Sequence, residues 1–165
     1  PGVRLRFLAA GSRATVGHFE LSVLHPPLSG LSGASGLRTL KVNEDSLVMI
    51  ARVLGHRVLL TGDAEREAER RLVDCCAGEL RTEVLKLAHH GSRTSSSDDF
   101  LAAAAPHLAI VSVGAGNLYH HPSPAVVDRL AERHTPLLRT DRDGLIVLAF
   151  DRARRLRLEL PGAPK

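Results

Sequence analysis

Three short segments of this sequence carry side chains able to ligate a metal or move a proton, and each follows an apolar run. In Thr61-Gly62-Asp63-Ala64, an aspartate closes the run Val58-Leu59-Leu60 beside a glycine that lets another group approach closely. A carboxylate there can bind a cation through one oxygen, bridge two cations through both, or simply cap the helix that follows. In the stretch 85–92, His89 and His90 offer imidazoles, the commonest nitrogen ligands of zinc. Gly91 removes a side chain next to them, and the hydroxyls of Ser92, Thr94 and Ser95 suit phosphate oxygens. In Asn117-Leu118-Tyr119-His120-His121-Pro122, an imidazole after a strand can serve as general acid, phosphate contact or outer support. The bland reading of that segment is a surface turn ahead of a proline-started helix. A weaker piece, Arg139-Thr140-Asp141, also sits at a strand end. His18, His25, His56, His107 and His134 have no partner at ligand spacing and read as structural.

Something rigid must hold these segments together, and the hydropathy pattern predicts what it is. Apolar or β-branched runs bounded by glycine or proline predict strands at 19–24, 46–54, 57–61, 84–88, 108–113, 136–139 and 144–150. A last strand at 156–160 is expected to pair with the one before it. Gly55-His56 reads as a two-residue hairpin turn. Ala64, Ala68, Leu72 and Cys76 recur every fourth position and predict an amphipathic helix over 64–77, with Glu65 and Glu67 loading its first turn. A second helix is expected from Ser97 or Asp98 to Ala105, and a third from Pro124 to about His134 with Ser123 as its cap. Strands alternating with helices imply α/β layers with the chemical segments at the strand ends, where loops rest on a rigid sheet. The stretch 27–41, rich in Ser, Gly and Leu, reads as a loop, and 161–165 as a frayed tail.

Composition excludes several classes. The chain has 165 residues, one domain's worth, with 44% hydrophobic residues, so it can bury a core. No run approaches the roughly 18 apolar residues of a membrane span. The opening Pro-Gly-Val-Arg carries neither an initiator methionine nor a leader, which suggests a fragment. Lys and Arg exceed Asp and Glu by 22 to 18, with Arg152, Arg154, Arg155 and Arg157 crowded late. That charge suits a polyanion without requiring one. Aromatic residues make up only 3%, which argues against an extended base-stacking platform. Cys75 and Cys76 are adjacent, so neither a disulfide nor a thiolate metal site is expected.

Taken in order, Asn43-xx-Ser46-Leu47-Val48, LLTGDA, LKxxHHGSxTSSS, NxYxHP and RTDxxG resemble the C-terminal metallo-β-lactamase-like domain of ComEC-type competence DNA-uptake proteins. The resemblance covers roughly residues 19–150 of a single partial domain spanning 1–165. It implies an αβ/βα sandwich holding two divalent ions, zinc or manganese, and a nuclease-type hydrolysis of phosphodiester bonds, in single-stranded DNA. It implies that Asp63 and His90 are metal ligands, with His89 the alternative register, and that Asp63 and His121 belong to the catalytic machinery. Ser92, Thr94, Ser95 and Asn117 would contact the substrate. The family's HxHxDH signature is absent from these residues, so the chain is expected to be only the C-terminal half of the sandwich and inactive alone. Its expected partners are DNA and the membrane-channel domains of a parent protein, with no small-molecule cofactor. By the same resemblance it is extracytoplasmic and membrane-associated through that parent, while the fragment itself is soluble. Alternatives on the same fold are a phosphorylcholine-esterase type of hydrolase and an inactive DNA-binding or scaffold domain.

Overall fold

The structure, a computed structural model, describes residues 8–28, 43–151, 153 and 155–161. Most of the expected loop at 27–41, Arg152, Arg154 and the end of the tail lie outside the described residues. One seven-stranded sheet organises the chain, in the order β1 (Arg13–Val16), β2 (Phe19–His25), β3 (Val48–Val53), β4 (His56–Leu60), β5 (Val84–Lys86), β6 (Leu108–Val111), β7 (Leu137–Arg139). β1 to β4 run antiparallel as a meander, and β4 to β7 run parallel through helical crossovers. β2 and β4–β7 therefore all end at the same edge of the sheet, the edge that carries every segment of chemical interest.

Period-two burial explains the layering. Val48, Ile50, Leu59, Leu85, Ala109 and Val111 face one side, where they meet Ala68, Leu72 and Leu80 of α1 (Arg66–Leu80), Phe100, Leu101 and Ala104 of α2 (Asp98–Ala104), and Val126 and Leu130 of α3 (Pro124–Glu132). Ala64, Ala68 and Leu72 of the predicted stripe are buried, Cys76 is only partly so at the kink, and Leu80 four residues on is buried again. Fully burying each such Leu or Val stabilises the fold by roughly 1.5–3 kcal/mol. On the opposite face Ala51, Val58 and Val84 are covered by Leu148, Phe150 and Leu156 of a separate hairpin, β8 (Val147–Phe150) with β9 (Leu156–Glu159). Leu21, Leu60, Leu108 and Ile110 on that face stay half-buried.

Four expectations need correction. β1 pairs with β2 through a turn at Gly17-His18, a strand its polar sequence RATV did not announce. The β3–β4 turn falls one residue earlier than expected, on Leu54-Gly55, because both take positive φ (51° and 93°) and Val53 pairs with His56. Cys75 and Cys76 are joined by a disulfide. The bridge is possible because Cys76 leaves helical geometry (φ −143°, ψ 21°), kinking α1 where an unbroken helix was expected. The late basic cluster is partly neutralised, since Arg155 and Arg157 both pair with Asp151.

Candidate active site

The run Val58-Leu59-Leu60 delivers Thr61-Gly62-Asp63 to the sheet edge, where Thr61 is buried and its hydroxyl donates to the carbonyl of Lys86 (2.6 Å). Gly62 takes φ +54°, and a Cβ there would stand 3.2 Å from the Leu47 carbonyl, so the segment after the Asn43 loop packs directly on it. The Ser46 hydroxyl accepts the Asp63 amide (3.2 Å), and buried His25 donates from Nδ1 to the Ser46 carbonyl (3.1 Å). The first turn of α1 begins only at Arg66, after Glu65, so Asp63 does not cap it. Glu44 does that work from outside the helix, accepting the Ala68 amide at 2.6 Å. The Asp63 carboxylate is left half-exposed at the sheet edge.

The strand at 84–88 is cut short. β5 stops at Lys86, and Ala88–Gly91 form a 3-10 turn in which His89 and His90 both adopt left-handed backbone (φ 45° and 53°). For non-glycine residues that conformation costs roughly 1–2 kcal/mol each. It turns the two imidazoles apart. His90 Nδ1 lies 2.7 Å from the Ser112 carbonyl, which can only accept, so Nδ1 carries the proton and Nε2 keeps its lone pair. That Nε2 stands 3.9 Å from Asp63 Oδ1. His89 Nδ1 lies 2.9 Å from Glu65 Oε1 at an angle too bent for a hydrogen bond, and the ring stands edge-on to His121 with centroids 6.0 Å apart. The same Glu65 oxygen accepts from Thr94 Oγ1 (3.1 Å) and Asn43 Nδ2 (3.2 Å).

The third segment closes over the second. Asn117 holds its loop at both ends of the residue it faces: Oδ1 accepts the His121 amide (2.8 Å) and Nδ2 donates to the His121 carbonyl (2.8 Å). Pro122 packs on Gly91, and the Ser123 amide donates to the Gly91 carbonyl (2.8 Å). Burial first, and then the neighbouring imidazoles of His89 and His90, hold His121 below the usual histidine range. Its Nδ1 is buried without a partner. An open cleft of 460 Å³, lined by His90, Ser112, Asn117, Tyr119 and His121 among others, adjoins the group.

The structure thus brings Asp63, His89, His90, Asn117 and His121 to one edge. It does not present all three expected hydroxyls. Thr94 is exposed, but Ser92 is 7% exposed and bonded to Thr94 (2.9 Å), and Ser95 is 1% exposed with its hydroxyl donating to Ala88 and Ser92 carbonyls. Ser95 holds the turn rather than reaching a ligand. Thr140 at the fourth segment likewise clamps both the amide and the carbonyl of Val113, and Arg139 is spent on Asp141 (2.6 Å).

Two supporting groups escaped the motif reading. His25 pins Ser46, as above, and Glu69 is fully buried with its oxygens accepting the Ser96 and Ser97 amides (2.5 and 2.8 Å). Desolvation raises the Glu69 carboxyl above the ordinary range, against the opposing pull of those bonds and of Arg129. The signal for Glu69 was its place beside the apolar stripe of α1, one residue after Ala68. His25 gave no comparable signal.

Asp63 and His90 are the pair that could hold a cation: Nε2 and Oδ1 stand 3.9 Å apart, with the far side of the ring already tied to the Ser112 carbonyl. Among the described residues no group of three or more His, Cys, Asp or Glu side chains converges on one ion position. Two such groups fall short of the three protein ligands a catalytic zinc ordinarily takes.

No family model matches the chain. Over 120 residues, 70% of its length, it is 41% identical to competence protein ComA of Neisseria gonorrhoeae, of which the match covers 17%. It is 38% identical over 104 residues to ComE operon protein 3 of Bacillus subtilis and 32% identical over 108 residues to recombination protein 2 of Haemophilus influenzae, covering 13% of each. The chain therefore spans less than a fifth of these relatives. A crystal structure of a candidate metal-dependent hydrolase from Parabacteroides distasonis shares the fold at a TM-score of 0.50 and 12% identity, over 84% of this chain and 58% of that one. Among the described residues no helix is long and apolar enough to cross a membrane.

Proposed function

From the premise that the chain is a ComEC-type domain with a metallo-β-lactamase-like fold, we propose that it is the C-terminal half of a metal-dependent phosphodiesterase that cuts DNA during uptake in natural competence. The observation that carries this reading is the 3.9 Å approach of His90 Nε2 to Asp63 Oδ1 from neighbouring strand ends. Asp63 and His90 would hold one of two zinc or manganese ions, the remaining ligands coming from the αβ half that the 165 residues do not contain. When bound, such an ion supplies a hydroxide nucleophile by lowering the pKa of its water.

The chain's own residues do the rest. His90 is oriented by the Ser112 carbonyl, so its lone pair needs no reorganisation to bind. His121, whose pKa is lowered first by burial and then by two neighbouring imidazoles, exchanges a proton with the oxygen leaving phosphorus. Thr94 contacts the phosphodiester, while the Asn117 amide, expected as a substrate contact, is spent holding the His121 loop. The half-buried apolar side chains Leu21, Leu60, Leu108 and Ile110 give the other αβ half a surface to pack on. By the same reading the parent protein is a membrane channel, and this domain lies on its outer side.

A protein extended upstream of Pro1 tests the reading. It should cleave linear single-stranded DNA with Mn²⁺ or Zn²⁺, and Asp63→Ala or His90→Ala should each remove cleavage and weaken cation binding by calorimetry at least tenfold. A folded extended protein that leaves DNA intact with every divalent ion defeats the proposal. Turnover of a chromogenic phosphodiester without DNA cleavage would point instead to a small-molecule esterase.

A further inference from the structure

Leu118 and Tyr119, at the tip of the loop that carries His121, are the most exposed large hydrophobic side chains among the described residues, at 90% and 80%. Tyr119 is the sequence's single tyrosine, and there is no tryptophan. Its position is not that of a loose tip. Asn117 ties the loop to itself by three hydrogen bonds, to the amide and carbonyl of His121 and the carbonyl of Gly114. Pro122 anchors the far end on Gly91. The Tyr119 ring lies over the His121 imidazole, with centroids 5.8 Å apart and planes 21° from parallel. The phenol is 80% exposed, so its π-face is open to solvent along the wall of the 460 Å³ cleft it shares with His90. That volume falls inside the range of roughly 300–1,000 Å³ typical of small-ligand pockets.

An exposed aromatic ring carried on a loop held by hydrogen bonds, next to imidazoles that would meet a phosphodiester, is an arrangement that seats a nucleobase. Resting on the phosphodiesterase reading, we propose that Tyr119 is a base-stacking subsite that seats one nucleobase of single-stranded nucleic acid, so that the adjoining phosphate lies toward His90 and His121. The low aromatic content of the chain rules out an extended stacking platform, not a single seat at the site. A membrane surface is a poorer match, because the loop offers only two exposed apolar side chains, Leu118 and Tyr119, between polar Asn117 and His120. Stacking is tolerant of base identity, because every base has a π-face. The subsite therefore gives a preference for unpaired strands and none for sequence.

The lone tyrosine also supplies the test, because tyrosine emission from the 165-residue chain reports on Tyr119 alone. The chain is titrated, without divalent ions, with a labelled oligothymidylate and with an abasic phosphodiester of equal length, following tyrosine emission and strand anisotropy. Saturable quenching by the base-bearing strand, and none by the abasic one, is expected. Tyr119→Ser should weaken the base-bearing strand roughly 5- to 150-fold, the effect of losing one stacked base, down to the abasic level. Tyr119→Phe should keep the affinity, and an unshifted thermal midpoint should show that both variants are folded. Equal binding of both strands, with unquenched tyrosine, overturns the stacking subsite while leaving the DNA reading intact. Binding of neither strand overturns the stacking subsite alone, since the DNA reading is tested separately by cleavage with the protein extended upstream.

Discussion

Replacing Gly91 with alanine puts one methyl group at the junction of the two histidine segments, and the structure sets its cost. Gly91 sits at φ +78°, so alanine there pays the left-handed penalty of roughly 1–2 kcal/mol. Its Cβ would also stand 2.6 Å from Pro122 Cβ and 3.0 Å from Pro122 Cα, against a comfortable carbon–carbon separation of about 3.5–4.0 Å. Pro122 cannot swing aside as a long side chain would, and the Ser123 amide is bonded to the Gly91 carbonyl, so backbone must move. Overpacking of that kind costs about 1–3 kcal/mol. The two terms together come to roughly 2–5 kcal/mol, a large share of the 5–15 kcal/mol that holds a typical domain folded. Urea unfolding followed by circular dichroism measures the loss, and the imidazole resonances of His121 and His90 report whether the loop has been pushed off. Gly78→Ala is the control of opposite sign: this glycine lies in α1 with nothing within 4 Å of the added carbon, so alanine should stabilise by about 0.5–1 kcal/mol. If Gly91→Ala unfolds within 0.5 kcal/mol of the parent and leaves the His121 resonances in place, the packing account of the HHGS–HP junction is wrong.

Glu69 gives a pH test with a definite sign. Its folded pKa is raised by burial, so the stability it adds relative to Glu69→Gln is complete below the ordinary glutamate pKa and is lost as pH rises through the raised value. The unfolding free energy of the parent minus that of the variant should therefore fall as pH rises above the ordinary glutamate range. A difference that grows instead would mean that the Ser96 and Ser97 bonds outweigh desolvation. Asn117→Ala removes both contacts to the His121 backbone and should cost about 1–3 kcal/mol if they are left without partners. The same variant should broaden the His121 resonances, and unchanged line widths with unchanged stability would show that the loop is held by other means.

The elements were legible where the side-chain pattern had one period and one face. The stripe through Ala64, Ala68 and Leu72 is buried to within 2% exposure, and the proline-started helix begins at Pro124 as read. Errors arose where backbone conformation outvoted side-chain pattern. Leu87 and Ala88 are apolar enough to continue β5, yet the chain leaves the strand at Lys86 because the next two histidines turn left-handed. The β3–β4 turn moved by one residue because Leu54, a residue seldom found at positive φ, takes that conformation beside Gly55. β1 was missed because its alternation runs over only four residues, and all four are exposed rather than marking a core face.

The chemistry of the site was more legible than its support, and the reason is range. Asp63, His90 and His121 betray themselves by type and by following apolar runs, which are local facts. The groups that hold them act across 20 or more residues through the main chain: His25 on the Ser46 carbonyl and Glu69 on the Ser96 amide, separated by 21 and 27 positions. No periodicity marks such pairs. They nevertheless decide which hydroxyls of the serine run a substrate could meet. Glu69 fixes the backbone that leads into α2, Ser95 turns inward to Ala88, and Thr94 is left outward against Glu65. A run of hydroxyls that reads as a phosphate cradle is thus divided by one buried carboxylate into a structural part and a part open to ligand. That division rests on where α1 places Glu69 and on the Ser95–Ser92 and Ser92–Thr94 bonds within the run.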